Sequence, residues 1–297
     1  MHGIGLVAAQ ALAGGPALRV AGTTSRGVFL RTAGRWIVFL SFETHLSPLI
    51  LTLGQGGEIL KAVAPGDPVR CVDGRIEFPD RKLDISFSGL SPWVPPAPLH
   101  ASTAHPRRVA RWKELAAEVL AARPAGGRSV LLAQLQPLDE PRRRGTDGRE
   151  VDGPLSRLPR AMREGDVSGV VRACTAFLGQ GPGLTPSGDD LVAGVLLSLH
   201  RWPCAPWDIP TRGRITEQIV PAAYGSTSTL GANLIECASF GGADERLLHA
   251  VDHLWSGHPS HTTALEGLRE WGATSGSDAL AGMGLVLGMD PPPLGSR

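Results

Sequence analysis

The hydrophobic pattern of the chain changes its period at a proline-rich stretch, and this change limits the possible folds more than any other feature. Before SPWVPPAP, residues 91–98, apolar residues alternate with polar ones, most clearly over residues 82–88. After it, apolar residues recur at helical spacing, first over residues 109–120. The sequence therefore predicts an α+β protein. A β-rich N-terminal domain, either a small barrel or a sandwich, precedes a mainly α-helical C-terminal domain.

The predicted boundaries follow this pattern. Residues 1–98 form the β-rich domain, residues 99–156 hold a helix and a polar connecting segment, and residues 157–290 form the helical domain. The Asp73-Gly74 pair supplies the positive φ angles of a tight hairpin turn. Helical periodicity predicts seven helices in the second half, at residues 167–178, 191–199, 215–223, 230–240, 247–255, 263–271 and 279–287.

Composition excludes several classes of function. A net charge of +1 and an aromatic content of 5% give no basis for nucleic-acid binding. The four cysteines show no C-x-x-C spacing, so neither a disulfide framework nor a zinc site is expected. No apolar run reaches the roughly 18–20 residues of a membrane span. The apolar N-terminus lacks the basic residues of a signal peptide, so we expect a cytoplasmic protein.

The stretch GQGPGLTPSGDD, residues 179–190, is the strongest candidate for a site. Its G-x-x-x-x-G spacing matches a P-loop, but Asp189 and Asp190 replace the Lys and the Ser/Thr that bind phosphate and magnesium. The stretch follows a helical pattern instead of a strand, so it is not a dinucleotide-binding turn either. A stiff glycine loop and two carboxylates at the start of a buried apolar helix indicate a ligand site.

Part of this stretch recurs near the C-terminus. Residues 187–194 and 275–282 both read S-G-x-D-x-x-A-G. One interpretation is a capping box at each helix start, formed by Ser187 with Asp190 and by Ser275 with Asp278. That interpretation leaves Asp189 and the upstream glycines without a role, and these are the residues that point to a ligand.

A third helix start lies at YGSTSTLGAN, residues 224–233, where Ser228 or Thr229 is the predicted N-cap. We hypothesise that the three helix starts, here called mouths, converge on one pocket.

Two other features are weaker evidence for a binding site. His249 and His253 are spaced like metal ligands, but they are predicted to face away from the core, and no metal site is expected. The cluster at residues 142–144 is either an anion-binding loop or a solvated connection.

Three stretches resemble the AllH family, whose namesake is a subunit of bacterial oxamate carbamoyltransferase. They are GPGLTPSGDDLVAG at residues 181–194, TSTLGANLIECASFG at residues 227–241 and GATSGSDALAG at residues 272–282. The resemblance spans residues 167–288 and is faint over the first hundred residues. It implies a part in converting oxalurate and phosphate to oxamate and carbamoyl phosphate, at the end of allantoin and purine catabolism. It also implies two further protein subunits as partners.

The resemblance transfers roles only to matching positions. Asp189 and Asp190 are the candidate catalytic residues. The candidate substrate-binding residues are Gly181, Gly183, Thr185, Ser187, Gly188, Ser228, Thr229, Ser275, Gly276 and Asp278. The family pattern shows a His in the second motif where this chain has Ala273, so no role of that position is transferred.

The chemistry leaves one question open. Helix mouths suit a small anionic substrate, and an Asp can accept a hydrogen bond from its amide. The motifs contain no Arg or Lys, so the cation must come from residues 142–144, from a partner subunit or from a divalent metal ion. No cofactor is evident. Two alternatives remain: a non-catalytic anion-binding or scaffolding subunit, and an independent enzyme acting on another small amide or carboxylate.

Overall fold

The chain forms two compact units in the computed structural model, which describes residues 3–53, 62–98, 103–122, 129–135, 153–202 and 208–288. One unit comprises residues 1–96 with 242–245, and the other comprises residues 97–241 with 246–297. A curled sheet over residues 4–93 is followed by helices over residues 105–287, so the prediction of an α+β chain with this order is confirmed. Residues 142–144 and most of the polar connecting segment lie outside the described residues.

The first unit is built on a nine-stranded sheet. Its strands are β1 (Ile4–Gly5), β2 (Ala17–Thr24), β3 (Gly27–Thr32), β4 (Ile37–Ser41), β5 (Ile50–Thr52), β6 (Pro68–Val72), β7 (Arg75–Phe78), β8 (Leu83–Ser86) and β9 (Pro92–Trp93), with helix α1 (Leu6–Leu12) after β1. Their order across the sheet is β8-β7-β6-β2-β3-β4-β5-β1-β9. The sheet curls like half of a barrel, so of the two predicted architectures the barrel is the nearer.

Local sequence explains the hairpins of this sheet. Asp73 and Gly74 adopt φ angles of 47° and 73°, and Val72 pairs with Arg75 across the turn. This is the tight hairpin turn that an Asp-Gly pair favours. Alternation then buries one face of the sheet, where Leu30 and Leu40 are fully covered.

The second unit is helical. Its helices are α2 (His105–Ala121), α3 (Val130–Leu135), α4 (Pro154–Glu164), α5 (Val167–Thr175), α6 (Ser187–Arg201), α7 (Ile209–Ser226), α8 (Thr229–Ala238), α9 (Glu245–Ser256), α10 (His261–Glu270) and α11 (Ser275–Leu287). Each predicted helix of the second half overlaps one of these. In the described part of the chain, no helix has both the length and the apolar character needed to cross a membrane.

Helices α6 and α11 pack with their backbones in direct contact, and the two copies of the repeated motif make this possible. A Cβ atom on Gly194 would overlap the carbonyl oxygen of Ala279, and one on Gly282 would overlap that of Leu191. Glycine at these two positions therefore allows the helices to approach closely. The final glycine of S-G-x-D-x-x-A-G is explained by packing, and the contact brings the starts of α6 and α11 together.

Candidate functional site

The glycine loop before α6 has a fixed backbone. Gly181 and Gly183 adopt φ angles of 114° and 105°, which other residues rarely adopt. The Gly188 N–H donates to the Gln180 carbonyl oxygen at 2.9 Å, and the Ser228 hydroxyl donates to the Leu184 carbonyl oxygen at 2.7 Å. Gly181 and Gly183 are exposed to solvent. The loop thus presents backbone to solvent while its two ends are held by hydrogen bonds.

Gly188 and Gly276, the second residues of the two motif copies, have a packing role. A Cβ atom on Gly188 would overlap the Phe177 carbonyl oxygen, and one on Gly276 would overlap that of Leu268. Both backbone N–H groups are already used, since the Gly276 N–H donates to the Trp271 carbonyl oxygen at 3.0 Å. Each glycine seats its helix start against the preceding segment, and its N–H is not free for a ligand.

The capping-box interpretation of the two motifs is wrong. The N-cap residues are Pro186 for α6 and Thr274 for α11, and neither makes a side-chain capping hydrogen bond. The first helical residues are Ser187 and Ser275, so the motif carboxylates lie one turn inside each helix. Both side chains are buried between packed elements. The spacing of residues within one helix cannot reveal this burial, because the residues that cover the two carboxyl groups come from other elements.

Asp189 connects the glycine loop to the mouth of α8. Its Oδ1 accepts a hydrogen bond from the Gly179 N–H at 2.8 Å, and its Oδ2 accepts one from the Thr227 hydroxyl. Gly231, on the first turn of α8, packs against the same carboxylate, where a Cβ atom would overlap it. Burial raises the pKa of Asp189, and the two hydrogen bonds partly oppose that effect. This carboxylate is held in place by donors on both oxygens.

Asp278 is held through one of its oxygens. It is fully buried, its Oδ1 accepts a 2.5 Å hydrogen bond from the Ser129 hydroxyl, and its Oδ2 has no hydrogen-bond partner among the described residues. Ser129 also accepts from the Leu132 N–H at 2.9 Å, which fixes the orientation of its hydroxyl group. Burial raises the pKa of Asp278, while the hydroxyls of Ser129, Ser187 and Thr274 act in the opposite direction.

Asp190 differs from both neighbours. It is 1% exposed, and neither of its carboxylate oxygens has a hydrogen-bond partner among the described residues. The hydroxyls of Ser275 and Thr185 are close enough to lower its pKa, but neither reaches hydrogen-bond geometry. Burial raises the pKa of Asp190 well above its usual range, and the charges of Asp278 and Asp189 raise it further.

The structure brings all three mouths together. The Thr185 and Ser275 hydroxyls lie 3.2 Å apart and join the mouths of α6 and α11. Ser228 joins the mouth of α8 to the loop through Leu184, and its Oγ accepts from the Gly231 N–H at 2.9 Å. The prediction that Ser228 or Thr229 caps α8 is confirmed for Ser228. Thr229 is the first helical residue, and its side chain is half-buried.

Ser129 and Thr227 are members of the site that sequence analysis missed. Thr227 was visible as one of four consecutive hydroxyl residues before α8, but its contact with Asp189 spans 38 positions. Ser129 lies 149 positions from Asp278 and outside the matching motifs, so no local signal marked it.

The charge of the described site is negative. No Arg or Lys side chain affects the pKa of Asp189, Asp190 or Asp278. Within the described residues, no group of three His, Cys, Asp or Glu side chains is arranged to hold a metal ion. An anionic ligand at this site therefore depends on hydroxyl and backbone donors, on a proton, or on a cation supplied from elsewhere.

One prediction about the histidines is wrong. His253 was expected to face away from the core, yet it is 5% exposed. Its Nδ1 lies 2.8 Å from the Pro259 carbonyl oxygen, and its ring contacts that of His261 edge-on at 5.6 Å between centroids. The segment after α9 and helix α10 cover the face that the apolar stripe of α9 leaves free. His249 on the same helix is half-buried.

The link between the α8 mouth and the loop can be tested with a matched pair of variants. Ser228→Ala removes the cap of α8 and the hydrogen bond to Leu184. Ser260→Ala removes the cap of α10, in which Ser260 accepts from the Thr263 N–H, and a local contact with the Thr263 hydroxyl. We expect each variant to lose about 1 kcal/mol of unfolding free energy. Only Ser228→Ala should speed amide hydrogen exchange over residues 179–186. Equal exchange there in both variants would contradict the link.

Taken together, these features define an α+β protein whose helical unit gathers three glycine- and hydroxyl-rich helix mouths around three buried carboxylates. The family described as oxamate carbamoyltransferase subunit AllH matches residues 177–287, which contain all three mouths. The resemblance found in the sequence is thereby confirmed over these residues. Comparison with curated proteins and with solved structures gives no match.

Proposed function

We propose that this chain is the AllH-like subunit of a carbamoyltransferase and that its converging helix mouths bind a small anionic amide or phosphate. The observation that carries the proposal is the position of the family motifs. They meet around Asp190, a buried carboxyl group that lacks a partner among the described residues. A purely structural interior leaves few such groups, because an unsatisfied buried polar atom costs about 1–3 kcal/mol.

The reaction implied by the family is the phosphorolysis of oxalurate. A phosphate oxygen bonds to the carbamoyl carbon, the bond from that carbon to the oxamate nitrogen breaks, and carbamoyl phosphate and oxamate leave. One proton moves from the phosphate to the departing nitrogen. We assign the binding of the anions to the exposed backbone at Gly181 and Gly183 and to the hydroxyls of Thr185 and Ser275. Asp189 fixes the loop that carries them.

The cation that these anions require is assigned to a partner subunit. Oxalurate and phosphate together carry several negative charges, and the three aspartates add to the repulsion. The described part of the site supplies no positive side chain to offset it. We therefore propose that the site is completed on assembly with the other subunits, in the cytoplasm and without a further cofactor.

A second candidate is an anion-binding or scaffolding subunit without catalytic residues. The N–H groups of Gly188 and Gly276 are used internally, and all three carboxylates are buried, which suits a structural role for the motifs. The two candidates differ in one respect. Only in the first does the chemistry depend on the carboxyl groups of the motifs.

The test is a direct assay of oxalurate phosphorolysis. The chain alone, each candidate partner subunit alone, and every combination are incubated with oxalurate and inorganic phosphate, and carbamoyl phosphate is measured. We expect product only when this chain and its partners are present together. Failure to form carbamoyl phosphate in every combination would rule out the carbamoyltransferase assignment. Full activity of the partners without this chain would favour the scaffolding role.

A further inference from the structure

The three carboxylates of the site differ in how they are satisfied. Asp189 accepts two hydrogen bonds, from the Gly179 N–H and the Thr227 hydroxyl. Asp278 accepts a short one from Ser129 on Oδ1, while its Oδ2 has no partner among the described residues. Asp190 accepts none among the described residues, and the negative charges of both other aspartates act on it. Donors stabilise a carboxylate anion, so the two carboxylates that have donors are those that carry the negative charge.

We propose that Asp190 is a neutral carboxylic acid at neutral pH and that its O–H is the proton donor of the site, acting through the adjacent hydroxyls of Thr185 and Ser275. This assignment rests on the proposed function for its use in catalysis, but the protonation state itself is a property of the chain alone. It also reduces the charge repulsion in the site, because a neutral acid does not repel an anion as a carboxylate does.

The groups around Asp190 favour its neutral, protonated form. The charged groups that act on it are Asp189 on its own helix and Asp278 on α11, and both are negative. From the loop and from α11 come only the hydroxyls of Thr185 and Ser275. Two buried neighbouring carboxyl groups of this kind resist being ionised together, so one of them retains a proton. The hydrogen bond from Ser129 stabilises the ionised form of Asp278, so the proton stays on Asp190.

The hydroxyl pair provides a path from this proton to the mouth. Asp190 is buried, whereas Thr185 and Ser275 are partly exposed and lie 3.2 Å apart. In the phosphorolysis, the departing oxamate nitrogen takes a proton as its bond to the carbamoyl carbon breaks. Asp190 supplies that proton through a hydroxyl, and the proton released by the attacking phosphate restores the acid. Asp190 thus acts as a positioning residue and proton reservoir behind the groups that touch the substrate.

The test reads the proton directly. In the full chain labelled with ¹³C at the aspartate carboxyl carbon, we expect one resonance with the shift of a protonated acid at pH 7. Asp190→Asn removes it, while Asp208→Asn, at the exposed N-cap of α7, leaves it in place. In Asp278→Asn this resonance should titrate at lower pH, because a negative neighbour has been removed. Titration of every aspartate resonance of the unmodified chain below pH 5 would overturn the proposal.

A second measurement does not depend on resonance assignment. The folded chain retains a proton that the unfolded chain releases near the ordinary aspartate pKa. Between that pKa and the higher pKa of folded Asp190, the unfolding equilibrium constant should rise with pH, by up to about tenfold per pH unit. Asp190→Asn should lack this contribution. Parallel pH dependences in the two proteins would contradict the proposal, whether or not carbamoyl transfer is found.

In the assembled complex the same proton has a kinetic signature. Asp190→Asn should lower turnover by about 10²–10⁴-fold, the usual contribution of a positioned acid, and remove the alkaline fall of the pH–rate profile. A purely structural Asp190 would leave the shape of that profile unchanged. If no combination of subunits has activity, the resonance and the unfolding measurement still decide the protonation state.

Discussion

Replacing Gly282 by Ala is expected to destabilise the helical unit by about 3 kcal/mol, because the added methyl group meets a backbone carbonyl oxygen. The Cβ atom would overlap the carbonyl oxygen of Leu191 on α6, and no rotamer change relieves a clash between two backbones. Helices α6 and α11 would have to separate, which also moves the two motif mouths apart. Gly194→Ala should have a comparable effect, since its Cβ atom would overlap the Ala279 carbonyl oxygen.

A third glycine offers the control. Gly213 lies within α7, and a Cβ atom there would have no neighbour within 4 Å. Gly213→Ala should therefore stabilise the chain by about 0.5–1 kcal/mol through helix propensity alone. Thermal unfolding separates the cases: Gly282→Ala should lower the midpoint by about 6–12 °C and Gly213→Ala should raise it slightly. Similar midpoints for the two variants would show that the close helix contact does not exist.

Replacing Asp189 by Asn is expected to lower carbamoyl transfer by the assembled complex at least about 10²-fold, while the fold is retained. The carboxylate accepts from the Gly179 N–H and from the Thr227 hydroxyl, and an amide has only one acceptor atom for these two donors. The amide nitrogen must then face the Thr227 hydroxyl, whose hydrogen bond has to reverse its direction. This replaces a charge-assisted hydrogen bond by a weaker neutral one and loosens the start of α8. A displacement of the binding groups by about 1 Å is enough for a loss of this size.

The matched control carries the same chemical change outside the site. Asp208→Asn converts the N-cap carboxylate of α7, which accepts from the Thr211 N–H at 2.9 Å, to an amide. We expect nearly unchanged turnover for it, with assembly of both variants checked by size-exclusion chromatography. Unchanged turnover of a correctly assembled Asp189→Asn complex would show that the motif has a structural role only.

Much of the helical unit could be predicted because the periodicity that indicates a helix lies within one short segment of sequence. The seven periodic segments of the second half each correspond to a helix, and the Asp73-Gly74 turn forms as its dipeptide dictates. The order of strands in the sheet was not predictable. Strand β2 pairs with β6, about 50 positions away, and such pairing is set by the whole sheet rather than by any one strand.

The candidate site likewise has residues that the sequence pointed to and residues that only the fold reveals. The glycine loop, Asp189 and the Ser228 cap were identified from residue types and spacing alone. The capping interpretation of Asp190 and Asp278 was wrong, because neither helix start has a side-chain cap and both carboxyl groups are buried where α6 and α11 meet at Gly194 and Gly282. Ser129 could not be found at all, since only the fold brings it to Asp278.

In the proposed site the three mouths together hold the small anions of the reaction. Hydrogen–deuterium exchange of the assembled complex, with and without oxamate and inorganic phosphate, measures this binding at each mouth. We expect slower exchange over residues 179–190, 227–231 and 272–278 when both anions are present, with α4 and α5 unchanged. Protection confined to other parts of the chain, or to the partner subunits alone, would contradict it.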